Sequence, residues 1–220
     1  RPGIKRTSRS FDESFWFNLD NSKDPAVGSG FWFAWDWVGL NFGIIQGSVF
    51  FRFLLDITVR QIVVSNGDVF VFTEGFVSVI PTVEDIGEEE TIEFIQANQE
   101  LIMLRDEGLN PLKWDGSNAG FVRFGASVLP DSPVPLSSTG TYAGGRLWLV
   151  KDRDDIYASD IFDTNTYEYV YQKFSAEKGD GDEITRLIPY HDDYLLVFKK
   201  TKVYAMSGVK FAANQKAFQE

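Results

Sequence analysis

The 220-residue chain contains no cysteine and one histidine, His191. Without thiols it has no disulfide, no thiolate metal site and no cysteine nucleophile. One imidazole cannot build a histidine-rich zinc site. A serine triad would have to use His191, which lies in the polar turn His191-Asp192-Asp193, and no Gly-x-Ser-x-Gly elbow accompanies it. His191 therefore reads as an exposed turn residue. Cations are scarce as well: 21 Lys and Arg stand against 32 Asp and Glu, a formal net charge of −11. A groove that grips nucleic acid needs the opposite balance. No apolar run approaches the roughly 20 residues of a membrane span. The densest window, FWFAWDWVGL (31–40), is broken by Asp36, and no stretch reads as a signal peptide. The missing cysteines fit synthesis in a reducing cytoplasm.

Aromatic residues are abundant: 20 Phe, 8 Tyr and 6 Trp. Phe, Tyr and the β-branched residues favour pleated, half-buried surfaces, so the expected class is all-β. Helical spacing is almost absent. The one helical candidate, VEDIGEEETIEF (83–94), is interrupted by Gly87. Charge is divided along the chain. The first ten residues carry Arg1, Lys5, Arg6 and Arg9, so the remaining 210 carry −15.

A unit recurs in which a polar turn leads into an apolar strand. Tyr190 leads to Leu195 through HDDY, Tyr142 to Leu147 through AGGR, and Gln96 to Leu101 through ANQE. Val64 leads to Val69 through SNGD, and Ile44 to Val49 through IQGS. Asn66-Gly67 is a strong hairpin signal, because a type I′ turn needs positive φ at both central residues. In the later copies a further strand follows: LKWDG (112–116), DIYASD (155–160) and KVYAMSG (202–208). Leu101, Leu147 and Leu195 are 46 and 48 residues apart, whereas the earlier copies are 20 and 32 apart. Periods of about 40–50 residues match a four-stranded propeller blade. The expected fold is thus divergent, β-propeller-like blades of antiparallel hairpins, with a possible additional β region. Leu147, Leu149, Leu195 and Val197 are expected to be buried strand positions.

Three regions follow: a basic arm at 1–10, a β-rich region at 11–95 holding partial blades or an inserted β domain, and propeller-like blades at 96–220. The whole reads as a piece of a longer polypeptide. VLPDSPVPLSSTG (128–140) reads as an exposed connection between blades, and SAEKGDGDE (175–183) as an acidic turn.

Candidate chemistry is sparse. Asp180-Gly181-Asp182-Glu183 resembles the start of a calcium loop, but the twelfth position from Asp180 is His191 rather than glutamate, so the match fails. Paired carboxylates for glycoside hydrolysis are uninformative among so many acids. The stretch from Glu84 to Glu93 holds six carboxylates. Six charges cannot be buried unpaired, so Glu84, Asp85, Glu88, Glu89 and Glu90 are expected to face solvent or a channel. Phe31, Phe33, Trp35 and Trp37 share one strand face at period two. They suit a core, a subunit contact or a sugar platform. The basic arm suits DNA phosphates, an acidic neighbour or simple solvation.

Two phrases, GRLWLVKDRDDIYASDIFD (145–163) and GDGDEITRLIPYHDDYLLVFKKTKVYAMSG (179–208), resemble the propeller blades of tail proteins from short-tailed phages. RPGIKR (1–6) and LRDEGLNPLKWDG (104–116) are similar to the same proteins, while 11–95 matches only in the order of strands. The family is the tail nozzle, or tail tubular protein B, with the packaged-DNA stabilisation proteins as a variant. The resemblance implies a non-enzymatic virion component with no cofactor. It implies a ring of copies, usually sixfold, whose partners are itself, the tail adaptor and the tail fibre proteins. The genome would pass through the ring without tight binding, and the location would be the virion tail. No catalytic residues are carried over. The alternative is a receptor- or carbohydrate-binding propeller without catalysis, and a glycosidase is a third reading.

Overall fold

The computed structural model describes residues 44–52, 59–73, 76–88, 90–106, 108–117, 119–124, 132–191 and 193–209. The described residues form strands and no helix. Sheet one holds β1 (Ile45–Arg52), β2 (Val59–Ser65), β3 (Asp68–Thr73) and β4 (Phe76–Ile80). Sheet two holds β5 (Glu93–Ala97), β6 (Glu100–Leu104), β7 (Leu112–Trp114) and β8 (Val122–Arg123). Sheet three holds β9 (Gly140–Ala143), β10 (Arg146–Lys151), β11 (Asp155–Ala158) and β12 (Lys173–Ser175). Sheet four holds β13 (Ile184–Tyr190), β14 (Tyr194–Lys199) and β15 (Val203–Ser207). Within each sheet the strands follow chain order and pair antiparallel. The first strands β1, β5, β9 and β13 touch in succession, so the sheets stand as successive blades with their first strands innermost.

Packing between blades explains the apolar runs. Alternate residues of a strand point to opposite faces. In β6, Leu101 and Met103 pack against Ile62, Val64, Val69 and Val71 of sheet one, while Ile102 and Leu104 pack against Leu147 and Leu149 of sheet three. In β10, Trp148 and Val150 turn the other way and meet Leu187, Leu195 and Val197 of sheet four. A strand covered on both faces needs no polar alternation, so LIML and LWLV are continuous. Leu147, Leu149, Leu195 and Val197 are all buried, as their place in the repeat requires. The inner strands lie close together. A Cβ on Gly47 would come within 2.6 Å of the Ile92 carbonyl, and one on Gly140 within 3.2 Å of the Ile95 side chain of β5.

Several details differ from the sequence reading. Ile44 to Val49 is no hairpin: the segment runs into β1, with a bulge between Ile45 and Gly47. The Asn66-Gly67 turn is real, with φ of 54° and 83°, but it joins the second and third strands of its sheet. The matching five-residue steps of sheets two to four join the first and second strands. A five-residue step marks any short hairpin, whichever strands it links. Residues 83–88 and 90–92 are irregular rather than helical, because Ile86 and Ile92 are both drawn into the core and the Gln46 amide donates to the Gly87 and Glu90 carbonyls. The connection before β9 is not simply exposed: Ser132, Pro135 and Ser137 are buried. Sheet one is a complete four-stranded unit, and β5 crosses the boundary expected at 95/96.

Leu195→Ala should cost about 3 kcal/mol of unfolding free energy, since it hollows the contact between sheets three and four. Val203→Ala, at a position 57% exposed, should stay within about 0.5 kcal/mol. Denaturant midpoints compare the two.

Candidate interaction surface

The topology gives the blades two unlike ends. One end carries the turns between first and second strands and the loops between third and fourth. The other carries the turns between second and third strands and the connections from sheet to sheet. Both acidic segments, 84–93 and 177–183, lie at this connecting end.

There they are captured by buried cations. Arg105, just beyond β6, is buried. Its guanidinium donates to the Asn110 carbonyl at 3.0 Å and the Asp85 carbonyl at 3.2 Å, and pairs with the Glu84 carboxylate. Arg123 takes the other Glu84 oxygen. Burial pushes the Glu84 carboxyl up, but the two guanidiniums outweigh it and hold its pKa below the ordinary value. Lys199, at the end of β14, has a side chain with 0% exposure. Its ammonium donates to Asp180 at 2.8 Å, Asp154 at 3.0 Å and the Glu177 carbonyl at 3.2 Å. The Lys199 hydrogen bond is the main reason that the Asp180 carboxyl is lowered to about 2. Asp154 is lowered by the Gly179 N–H and then by Lys199. Asp182 accepts from the Lys200 and Thr201 N–H groups, so the loop resembling a calcium site is occupied by the protein's own donors.

Lys151, half-buried at the end of β10, takes the corresponding place in sheet three. Arg105, Lys151 and Lys199 repeat with the same steps as Leu101, Leu147 and Leu195. Lys151 lies over the rings of Tyr157 and Tyr169, 5.9 and 5.6 Å from their centroids. The sequence reading missed these cations. Their signal was present: each apolar run, LIMLR, LWLVK and LLVFK, closes on a positive charge.

The acidic residues named from sequence separate accordingly. Asp85 and Glu88 are exposed. Glu84 and Glu90 are turned inward, Glu84 onto Arg105 and Arg123 and Glu90 to the Gly87 N–H. Burial of those two is possible because they are paired, which the expectation of solvent exposure left out. Glu89 and the aromatics Phe31, Phe33, Trp35 and Trp37 lie outside the described residues. His191 is exposed in its turn, as expected.

Where the inner strands β5, β9 and β13 meet there is a cleft of about 430 Å³, lined in part by Glu93, Gln96, Thr141, Tyr142, Arg186 and Pro189. Arg186 and Glu93 pair across it at 3.2 Å. Burial raises the Glu93 carboxyl, and Arg186 opposes the rise. The cleft presents one anchored carboxylate, one largely exposed guanidinium, amides and hydroxyls. Such a set offers hydrogen-bond donors and acceptors to polar groups.

Neither a protein-family model nor a curated protein matches the sequence. Solved structures do match. YCF48 bound to D1 peptide aligns with a TM-score of 0.52 at 11% identity, covering 69% of this chain and 47% of that one. BBS1N in complex with ARL6DN aligns at 0.51 and 13% identity, covering 79% and 54%. Both are β-propellers. The chain has propeller-blade architecture. It spans about half the length of these structures, and among the described residues no sheet closes on itself. At such identities the likeness concerns the fold alone.

The ion pairs set the acid sensitivity of this propeller segment. Depressed carboxyls such as Glu84, Asp154 and Asp180 add stability that is present above the ordinary carboxylate range and lost as pH falls through their folded values. The melting temperature should hold between about pH 7 and 5 and drop steeply from about 4 toward 2. Lys199→Met should lower it at neutral pH by roughly 5–10 °C and flatten the acid drop. An unchanged acid slope in that variant would disprove the role of the Lys199 cluster.

Proposed function

We propose that this chain is a non-catalytic propeller segment that works by holding other proteins, as a structural part of a phage tail nozzle. The observation that carries the non-catalytic part is the fate of the perturbed ionisable groups at the connecting end. Glu84, Asp154, Asp180 and Lys199 are consumed in joining sheet to sheet, so their shifts reflect structural pairing rather than a poised acid or base. The two matched propellers are captured with a peptide and with a protein partner, as their descriptions state. That use of the fold supports a holding role here.

The blade phrases support the nozzle assignment, and the charge agrees with it. A body carrying −15 cannot gain affinity for a duplex by releasing its counterions, so DNA slides past. In this reading copies assemble into a ring, hexameric in the family resembled, with the adaptor and fibres as further partners. The genome is retained and then conducted through the centre. Exposed Asp85 and Glu88 suit a solvated, DNA-repelling surface.

Negative-stain images of the full-length protein, with mass photometry, test this. A ring with a hole near the width of a DNA duplex is expected, alone or with the tail adaptor. A monomer that stays single with the adaptor and binds on a glycan array would replace the nozzle with the receptor-binding propeller.

A further inference from the structure

The loop between β11 and β12 displays apolar side chains on a fixed backbone. Four of them are exposed: Ile161 at 39%, Phe162 at 74%, Val170 at 82% and Tyr171 at 51%. The loop is well anchored. Tyr167 is fully buried beneath it, and Ser159 bridges to Tyr167. The Asp160 N–H donates to the Thr166 carbonyl at 2.9 Å, and Asp163 accepts from the Asn165 N–H at 2.8 Å and the Thr166 hydroxyl at 2.7 Å. Gln172 binds the Asp160 carboxylate and accepts from the Glu168 N–H, which ties the Val170-Tyr171 pair to the Ile161-Phe162 pair.

Phe162 is the centre of the patch. Its φ is +57°, a left-handed conformation that an aromatic residue rarely adopts. Its N–H donates to the Gly145 carbonyl at 2.7 Å, and its carbonyl accepts from the Asn98 amide at 3.3 Å. The ring lies against Gly145, where a Cβ would come within 3.1 Å. Strain is thus held in place to present a ring to solvent, a pattern that marks binding sites. The same loop carries two acids: Asp160, 47% exposed, which Gln172 binds and the Arg146 guanidinium approaches at 4.0 Å, and half-buried Glu168.

Exposed rings beside carboxylates suit guanidinium and ammonium groups, which stack on the ring and pair with the acid. Residues 1–10 have that chemistry. Arg1, Lys5, Arg6 and Arg9 surround Pro2 and Ile4 in RPGIKRTSRS, ahead of an acidic body. We propose that the Phe162 patch receives the basic arm, residues 1–10, of a second copy of this chain. The assembly reading explains only why two copies meet, and this inference deepens it.

Sedimentation velocity of the full chain across a concentration series tests the contact. Phe162→Asn should keep the fold, because asparagine tolerates this backbone, and should weaken self-association about tenfold or more. Replacing Arg1, Lys5, Arg6 and Arg9 by Gln should weaken it by a similar factor and remove most of its salt dependence. Combining both changes should add little to either alone. Wild-type association in either variant overturns the proposal. So does a full chain that stays monomeric while the labelled peptide RPGIKRTSRS competes with the arm for the Phe162 patch, because the arm then docks on its own body. Rings that form with the adaptor despite Phe162→Asn overturn this contact and leave the nozzle reading standing. Arm-dependent association without rings does the reverse.

Discussion

Every sheet here depends on a neighbour, because its second strand is apolar on both faces. Leu101 and Met103 face one way, Ile102 and Leu104 the other, and all four are fully buried. Trp148 and Val150 stand opposite Leu147 and Leu149 in the same manner. A sheet with two oily faces cannot stand in water. It gains its stability from the sheets that cover those faces, about 10 Å away. The rest of the architecture follows from that requirement. The inner strands are squeezed together, so a side chain on Gly47 would strike the Ile92 carbonyl and one on Gly140 would press on Ile95. The connection from sheet one to sheet two is drawn in as well, with Ile86 and Ile92 filling the gap between them.

A strand buried on both sides also has to end. In sheets two to four it ends on a cation, at Arg105, Lys151 and Lys199. Placing a charge beside a dry core is unfavourable unless its partners arrive with it. For Arg105 and Lys199 the partners come from the segment that links one sheet to another: Glu84 for the first, Glu177 and Asp180 for the second. Lys151 rests instead over two tyrosine rings. One position therefore has two solutions, a carboxylate cage and an aromatic shelf. Either way the charge secures the connecting chain at the point where the apolar contact runs out. The acidity of the chain is in part the counterpart of these cations.

Much of this was legible in the sequence. The all-β class, the blade period and the buried register of Leu147, Leu149, Leu195 and Val197 were readable because burial on both faces leaves a continuous apolar run, and the run repeats. The phase of sheet one was harder. Its Asn66-Gly67 turn looks like the others in sequence, yet it closes a different pair of strands. A turn signal states that two strands meet and gives no count of the strands before them. The acidic stretch was harder again. Glu84 and Asp85 are adjacent acids with opposite fates, and the difference is made by Arg105, 21 residues downstream of Glu84. The Phe162 patch carried no sequence signal, because its exposure comes from the loop's hydrogen bonds and not from its composition.

Sheet four shows what the same constraint requires at the end of the row. In the repeat, Leu196 and Phe198 take the places that Trp148 and Val150 hold in sheet three, facing the next sheet along. Trp148 and Val150 are buried, whereas Leu196 and Phe198 are only half-buried, and Ile188, Tyr194 and Val203 beside them are exposed. The alternation persists after the burial has stopped. This is the face on which a further sheet would stack. β15 is also the outermost strand of a three-stranded sheet, with an edge of backbone donors and acceptors that no described strand takes up. A half-covered apolar face beside an open edge favours association over solvation.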